Sequence, residues 1–415
     1  MTQRKAMRPA GRWPRALRAT LRLLAFLALL DPGKVVRADD SAQANSTPPP
    51  TTVTLEYREA GYIIANWYVS VEPRSAPFKK EPSAVSGTVF RGFLNLGGSS
   101  NSIPFFWQRS AGRLYLDLNR NQDLSDGSAT VFSARKAGSV QNQQTFPDVR
   151  LAFNTPSGRS SMLADLTFFN ANPRLYCYAA LRSFWQGKVS LHGRDWQVGL
   201  VPDSPNAAAS IENGRLLLRP WQEPDKAFNA QSGSLDTIPF SRKLFVDGHA
   251  YELACLTAPQ NGAVNPALQF TEQSIPLGEV TFTGQYIKRL VLPGGVHQVV
   301  LDQPAGTVKI PVGHYYLPNV MLEKGGVQAI CNVAQWPMGN RISVDGTTPA
   351  LVAAGGPLTN TVTVSREGED LVLNYRLIGA GGESCQLVKR DFAHPPEFAI
   401  YRGEKRIASG KFEFG

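Results

Sequence analysis

The chain of 415 residues carries 43 Lys and Arg against 33 Asp and Glu, a formal charge of +10, yet nine of the basic side chains and one acid, Asp31, fall within residues 1–38. The remaining 377 residues are left with only +2, so no clustered basic footprint exists for a phosphate backbone, and nucleic acid is excluded as the expected partner. With 42% hydrophobic residues the body can bury sizeable cores, and its length suits about two or three domains.

The Arg-rich opening runs into the apolar stretch Leu23–Leu30 and then Val36-Arg37-Ala38 ahead of Asp39-Asp40. That is the layout of a secretory signal peptide over residues 1–38, cut after Ala38; a mitochondrial transit peptide or an uncleaved anchor are the competing readings. The stretch falls well short of the roughly 20 apolar residues that span a bilayer, and no longer one follows. An exported protein with no membrane span after signal cleavage is therefore expected, located in the periplasm, at the cell surface or outside the cell. Residues 39–52, ending in Ser46-Thr47-Pro48-Pro49-Pro50-Thr51-Thr52, read as a Pro-rich disordered tether. From Val53 onward apolar residues alternate with period two between Gly, Pro, Asn and Asp clusters. The expectation is a mostly β chain of tandem antiparallel β-sandwich or β-barrel-like domains, with little helix beyond the signal.

Within an N-terminal β region over 53–275, Leu114-Tyr115-Leu116 ends a strand and delivers Asp117-Leu118-Asn119-Arg120-Asn121-Gln122-Asp123-Leu124-Ser125-Asp126. Side-chain oxygens at every second position converge when such a loop curls, and a hard cation wants six to eight oxygen ligands. The stretch resembles the D-x-[DN]-x-[DN] half of EF-hand, dockerin and thrombospondin-type calcium loops. The resemblance implies that Asp117, Asn119 and Asn121 fill the first three ligand positions and that Asp123 falls where an EF-hand uses a backbone carbonyl. Asp117, Asn119, Asn121, Asp123, Ser125 and Asp126 are the candidate ligands of a structural calcium ion. Gln122 departs from the pattern by replacing the turn glycine, and Ser128 stands where a bidentate Glu belongs. The competing reading is an Asx-rich turn whose side chains bond their own backbone.

Four hairpins follow. Lys188–Leu191 and Trp196–Leu200 flank His192-Gly193, and the pattern recurs as Lys243–Val246, Asp247-Gly248 and Tyr251–Cys255, either a weak duplication or shared hairpin grammar. Val362–Val364 pairs with Leu371–Tyr375, and Phe398–Tyr401 with Ile407–Phe414. Val201–Asn213 and Ala258–Pro266 read as long surface loops, and Gln273–Pro276 as an interdomain joint. Val308 to Leu317, as V-x-I-P-x-G-x-Y-x-L, resembles the prealbumin-like, carboxypeptidase-regulatory-like sandwich modules of secreted bacterial proteins. That resemblance implies a non-catalytic spacer or adhesion module over 276–335, followed by an Ig-like module over 336–415.

The four cysteines, Cys177, Cys255, Cys331 and Cys385, lack zinc-ligand spacing; they form one or two disulfides, Cys331 with Cys385 being the easier pair, or are small buried hydrophobes. The chain has no G-x-S-x-G, G-x-x-x-x-G-K-[ST], G-x-G-x-x-G or H-E-x-x-H motif. Its histidines are scattered singly and read as solvated surface where they fall at turns. Phe105-Phe106-Trp107, Phe184-Trp185 and Trp221 read as core, with a sugar-stacking platform as the alternative. In style the whole chain resembles uncharacterised exported bacterial β-rich proteins. The expected function is non-catalytic binding, adhesion or envelope structure, with a protein or polysaccharide partner. The rival is a secreted hydrolase of polysaccharide or peptide, using Asp117, Asp123 or Asp126 as acid, base or metal-positioning groups.

Overall fold

The computed structural model describes residues 48–73, 78–82, 86–97, 101–125, 130–135, 142–155, 158–172, 174–204, 214–221, 228, 235–260, 263–331, 341–368, 370–388 and 395–412. The expected signal peptide, the tether as far as Thr47, and Asp126 lie outside the described residues. The fold is all β. No α-helix occurs among the described residues, and none of their segments is a helix long and apolar enough to cross a membrane.

The largest sheet has eleven strands, in the order β1 (Thr51–Thr54), β17 (Ala263–Gln273), β16 (His249–Gln260), β15 (Lys243–Val246), β20 (Gln298–Asp302), β19 (Ile287–Leu292), β23 (Asn319–Lys324), β24 (Val327–Cys331), β29 (Ser384–Leu387), β28 (Asp370–Ile378) and β27 (Thr359–Glu367). An eight-stranded sheet runs β7 (Thr130–Ser133), β6 (Arg113–Leu116), β5 (Ser102–Gln108), β4 (Val89–Asn95), β3 (Ala65–Pro73), β10 (Arg174–Leu181), β9 (Gly158–Ala171) and β8 (Gln143–Thr155). A five-stranded sheet runs β14 (Thr237–Pro239), β13 (Arg215–Pro220), β12 (Arg194–Val201), β11 (Ser183–Leu191) and β2 (Glu56–Glu59). Smaller sheets join β21 (Thr307–Pro311), β18 (Leu277–Phe282) and β26 (Ala350–Val352), β22 (Gly313–Tyr315) with β25 (Ile342–Val344), and β30 (Glu397–Arg402) with β31 (Lys405–Lys411). Pairing is antiparallel except at β15–β20 and β18–β26.

Two hydrophobic cores lie against the two faces of the large sheet. In β15, Leu244 and Val246 enter one core and Phe245 the other; in β19 and β20, Val291 and Val300 go one way and Leu290, Leu292, Val299 and Leu301 the other. Successive strand side chains point to opposite faces, so a wall buried on both sides reads as a continuous apolar run, as in Val299-Val300-Leu301. The first core is centred on aromatic rings of the eight-stranded sheet: Phe168 lies 5.2 Å from Phe105, 5.4 Å from Trp107 and 6.0 Å from Phe146. Residue 275 falls between β17 and β18, while β15 before it pairs with β20 after it, so one sheet serves both cores.

The hairpins form where turn chemistry places them. His192 and Gly193 have φ of 49° and 75°, and Asp247 and Gly248 have 53° and 85°, so both turns take the left-handed backbone that matches strand twist. Val362 faces Tyr375, and Phe398 faces Gly410. Phe412 is tied down by its N–H to Pro396 O at 2.8 Å, while Phe414 lies outside the described residues. Ala258–Pro266 is a correction. The strands run into it from both sides, Thr257 opposite Pro266 and Gln260 opposite Ala263, the cross-strand ladder carrying past prolines that read as breakers; residues 261 and 262 lie outside the described residues. Cys331 and Cys385 sit opposite one another on β24 and β29 and form a disulfide; Cys177 is a buried thiol and Cys255 half-buried. Five of the six singled-out aromatic residues, Phe105, Phe106, Trp107, Phe184 and Trp185, are core, whereas Trp221 is exposed with Lys188 Nζ 5.1 Å above its ring.

Candidate functional site

Strand β6 ends at Leu116 and hands Asp117 to the loop with its side chain wholly buried. Asp117 N–H is fixed on Pro104 O at 3.0 Å. Its carboxylate accepts from Asn121 N at 3.2 Å and Gln122 N at 2.9 Å, and among the described residues no basic side chain pairs with it. Asn119 Oδ1 accepts from the same Asn121 N at 3.2 Å, so the oxygens of positions 117 and 119 converge on one point. Asn121 Oδ1 accepts from Asp123 N at 2.8 Å, and Asp123 Oδ1 from Ser125 N at 2.8 Å and Ser125 Oγ at 2.7 Å. From Asn119 the loop is thus a chain of Asx turns in which Asn119, Asn121 and Asp123 each accept from the backbone two residues ahead, while Asp117 reaches four and five residues ahead.

The curl is enforced from both sides. Arg120 and Gln122 have φ of 60° and 67°, a left-handed conformation that costs an L residue about 1–3 kcal/mol. Gln122 therefore takes the backbone shape for which a glycine is the usual choice. Its carbonyl accepts from Lys79 N at 2.8 Å and Lys80 N at 3.3 Å, and Leu124 N donates to Lys80 O at 3.1 Å. Leu124 is buried against Phe106 and Tyr115, plugging the loop onto the outer face of the eight-stranded sheet. Asp123 Oδ2 lies 3.3 Å from Lys80 Nζ, and the Ser125 hydrogen bonds first, with Lys80 beside them, hold its carboxyl below the usual carboxylate range. The structure brings Asp117, Asn119 and Asn121 together, turns Asp123 toward Ser125 and Lys80, and places Ser125 at the exit.

Two further groupings were not singled out by the sequence. Glu383, fully buried, accepts from Gly355 N at 2.7 Å and Gly381 N at 2.8 Å; burial raises its pKa against the pull of those bonds. It lies beside Cys331 and Cys385, but those sulfurs are bonded to each other and its role is to hold two loops. His192 and His249, read singly as turn surface, stack on one another and share Glu272. The signal available in the sequence was the repeated hairpin, which sets His192 in one turn and His249 just past the matching Asp247-Gly248 turn. A cleft of about 460 Å³ between β12, β15 and β20 is lined by Arg194, Trp196, Asp247 and Asp302, with Arg194 paired to both acids at 3.1 Å. None of the loop's carboxylates lines it. On the outer face of β3 and β10, exposed Tyr68 lies 5.8 Å from exposed Tyr178 and 6.4 Å from half-buried Tyr176, a row of rings open to solvent on two of its three members.

Comparison of the chain with protein-family models, with curated proteins and with solved structures finds no match.

Proposed function

We propose that the protein is an exported, non-catalytic binding or cell-envelope structural component whose loop at 117–126 takes a structural calcium ion. The observation that carries this reading is a fully buried carboxylate, Asp117, that no cation of the described residues neutralises, at the head of a loop curled by left-handed Arg120 and Gln122. Strain of that kind persists where the surroundings over-determine it, which is the usual mark of a ligand loop. The donor set fits a hard cation: side-chain oxygens of Asp117, Asn119 and Asn121, a backbone carbonyl at Asp123 whose carboxylate is already engaged, and the Ser125 hydroxyl, with Asp126 the remaining candidate by sequence. Bound calcium would fix the loop against the 78–80 segment and couple its affinity to folding of this end of the sheet.

The Cys331–Cys385 bridge supports export, because structural disulfides persist in oxidising compartments. The exposed tyrosine row supports the binding part, since such rings offer an apolar face and a hydroxyl together to a protein or polysaccharide. Titration calorimetry of the full chain with Ca²⁺, with Mg²⁺ as control, tests the proposal. One equivalent of calcium is expected to bind, and Asp117→Asn to remove it; heat no larger for Ca²⁺ than for Mg²⁺ would refute the site.

A further inference from the structure

Two hairpin turns of the same design meet at their tips. His192 follows β11 in the five-stranded sheet, and His249 opens β16 in the eleven-stranded sheet, just past the Asp247-Gly248 turn. Their rings stack with centroids 3.3 Å apart and planes 10° from parallel. From β17, Glu272 Oε1 lies 3.0 Å from His192 Nε2 and 2.9 Å from His249 Nδ1. The three ligand-bearing atoms lie within 4.8 Å of one another. Side-chain exposures of 40%, 34% and 26% leave the cluster open to solvent and to ions in it.

We infer that His192 Nε2, His249 Nδ1 and the Glu272 carboxylate bind a divalent transition-metal ion of the zinc class, joining the five-stranded sheet to the eleven-stranded one. The donor chemistry selects the ion. Imidazole nitrogen suits zinc, copper and nickel, whereas calcium and magnesium take oxygen shells. Two neutral imidazoles and one carboxylate carry a charge of −1, which offsets half of a divalent ion. Metal–ligand bonds of about 2.0–2.2 Å at tetrahedral angles set neighbouring donors about 3.3 Å apart, so the two histidine–glutamate spacings need to open by only a few tenths of an ångström, while the half-exposed rings turn out of their parallel stack to aim both in-plane lone pairs at one ion.

No proton is lost from neutral rings when the ion enters. Each imidazole moves the N–H that Glu272 accepted onto its other ring nitrogen, and Glu272 exchanges two hydrogen bonds for a metal–oxygen bond. Arg194, the nearby cation, is held by Asp247 and Asp302, and so is already balanced by acids of its own. Tyr251, opposite Glu272 in the β16–β17 ladder, packs against His192 with centroids 6.4 Å apart and walls one side of the site. Three protein ligands leave a fourth tetrahedral position for water or for a donor group on a bound partner. The site shares no residue with the 117–126 loop and does not depend on it.

The test uses the full chain without a histidine tag, in chelator-treated buffer above the usual histidine titration range, titrated with Zn²⁺ and with Co²⁺ as a visible reporter. One equivalent of Zn²⁺ is expected to bind, Co²⁺ to give d–d bands that Zn²⁺ abolishes, and excess Ca²⁺ to change neither. His192→Asn, which keeps a residue tolerant of the left-handed turn, His249→Gln and Glu272→Gln are each expected to weaken binding by about 100-fold or more, the upper end of what even outer-shell partners carry, with far-UV circular dichroism unchanged. Asp117→Asn is expected to leave Zn²⁺ binding intact, which separates this site from the calcium loop. The absence of saturable Zn²⁺ binding to the native chain, or its persistence in His192→Asn and Glu272→Gln, would overturn the inference.

Discussion

Arg289 is the buried cation that ties the wall between the two cores to the five-stranded sheet, and Arg289→Met measures that tie. The side chain, 5% exposed, forks onto Asp302 with Nε to Oδ1 at 2.6 Å and Nη2 to Oδ2 at 3.0 Å, while Nη1 donates to Leu218 O at 2.6 Å and Leu235 O at 3.2 Å. Methionine fills the apolar stem's space and removes every donor. Asp302 is then left with Arg194 Nη2 at 3.1 Å, and two carbonyls lose the guanidinium. Breaking a buried pair from one side costs about 3–5 kcal/mol, and an orphaned carbonyl about 1–3 kcal/mol, the two being non-additive. Because Asp302 keeps one partner and is 18% exposed, the expected loss lies near the lower bound, about 3 kcal/mol. Urea unfolding read by tryptophan fluorescence gives it as a shift in midpoint at constant slope. Arg289→Met with Asp302→Leu removes the stranded charge and is expected to recover at least about 1 kcal/mol. A single-variant loss under about 1 kcal/mol, or a double variant as unstable as the sum of its parts, would refute the reasoning.

Replacing Cys331 and Cys385 together by Ala opens a loop spanning 54 residues, for which chain entropy gives a loss of about 4 kcal/mol; an unchanged melting temperature under non-reducing conditions would contradict the bridge. His297 is buried with Nδ1 unpartnered among the described residues, and burial first, then Lys243, lowers its pKa. Since the folded value lies below the unfolded one of about 6.5, stability present above that pH is lost as pH falls through the folded value, and His297→Phe is expected to flatten the fall in Tm between neutral and mildly acid pH. An equally steep fall in the variant counts against it. Gly199→Ala drives a Cβ to 2.3 Å from the Trp185 carbonyl, an overpacking cost of about 1–3 kcal/mol, while Gly61→Ala meets nothing within 4 Å and is expected to stay within about 0.5 kcal/mol of the parent. Equal Tm values for the two variants would show the close approach to be relieved without cost.

The parts of this fold legible in the sequence are those written in short-range chemistry. Asp247-Gly248 and His192-Gly193 announce their turns because few residue pairs accept two successive left-handed conformations. Alternation alone identifies Leu244 and Val246 as inward-facing, but not Phe245, because it says nothing of a second core on the sheet's other face. Sheet order is equally silent: β1 pairs with β17 and β15 with β20 through contacts that no local pattern encodes. In the candidate loop, spacing singles out Asp117, Asn119 and Asn121, whereas the left-handed Gln122 and the anchoring of Leu124 on the 78–80 segment emerge only with the fold. His192, His249 and Glu272 come from two hairpins and a neighbouring strand, so their meeting is a product of topology.

The most direct test of the central claim is thermal unfolding of the full chain in excess EDTA and then in millimolar calcium, with magnesium as control and Asp117→Ala with Asp123→Ala alongside. Ligand binding to the folded state alone raises stability by about 2.7 kcal/mol at a hundredfold excess over Kd. The account predicts a calcium-specific rise in Tm in the native chain and none in the double variant. Identical melting in EDTA, calcium and magnesium would contradict it, leaving residues 117–125 as a self-bonded turn.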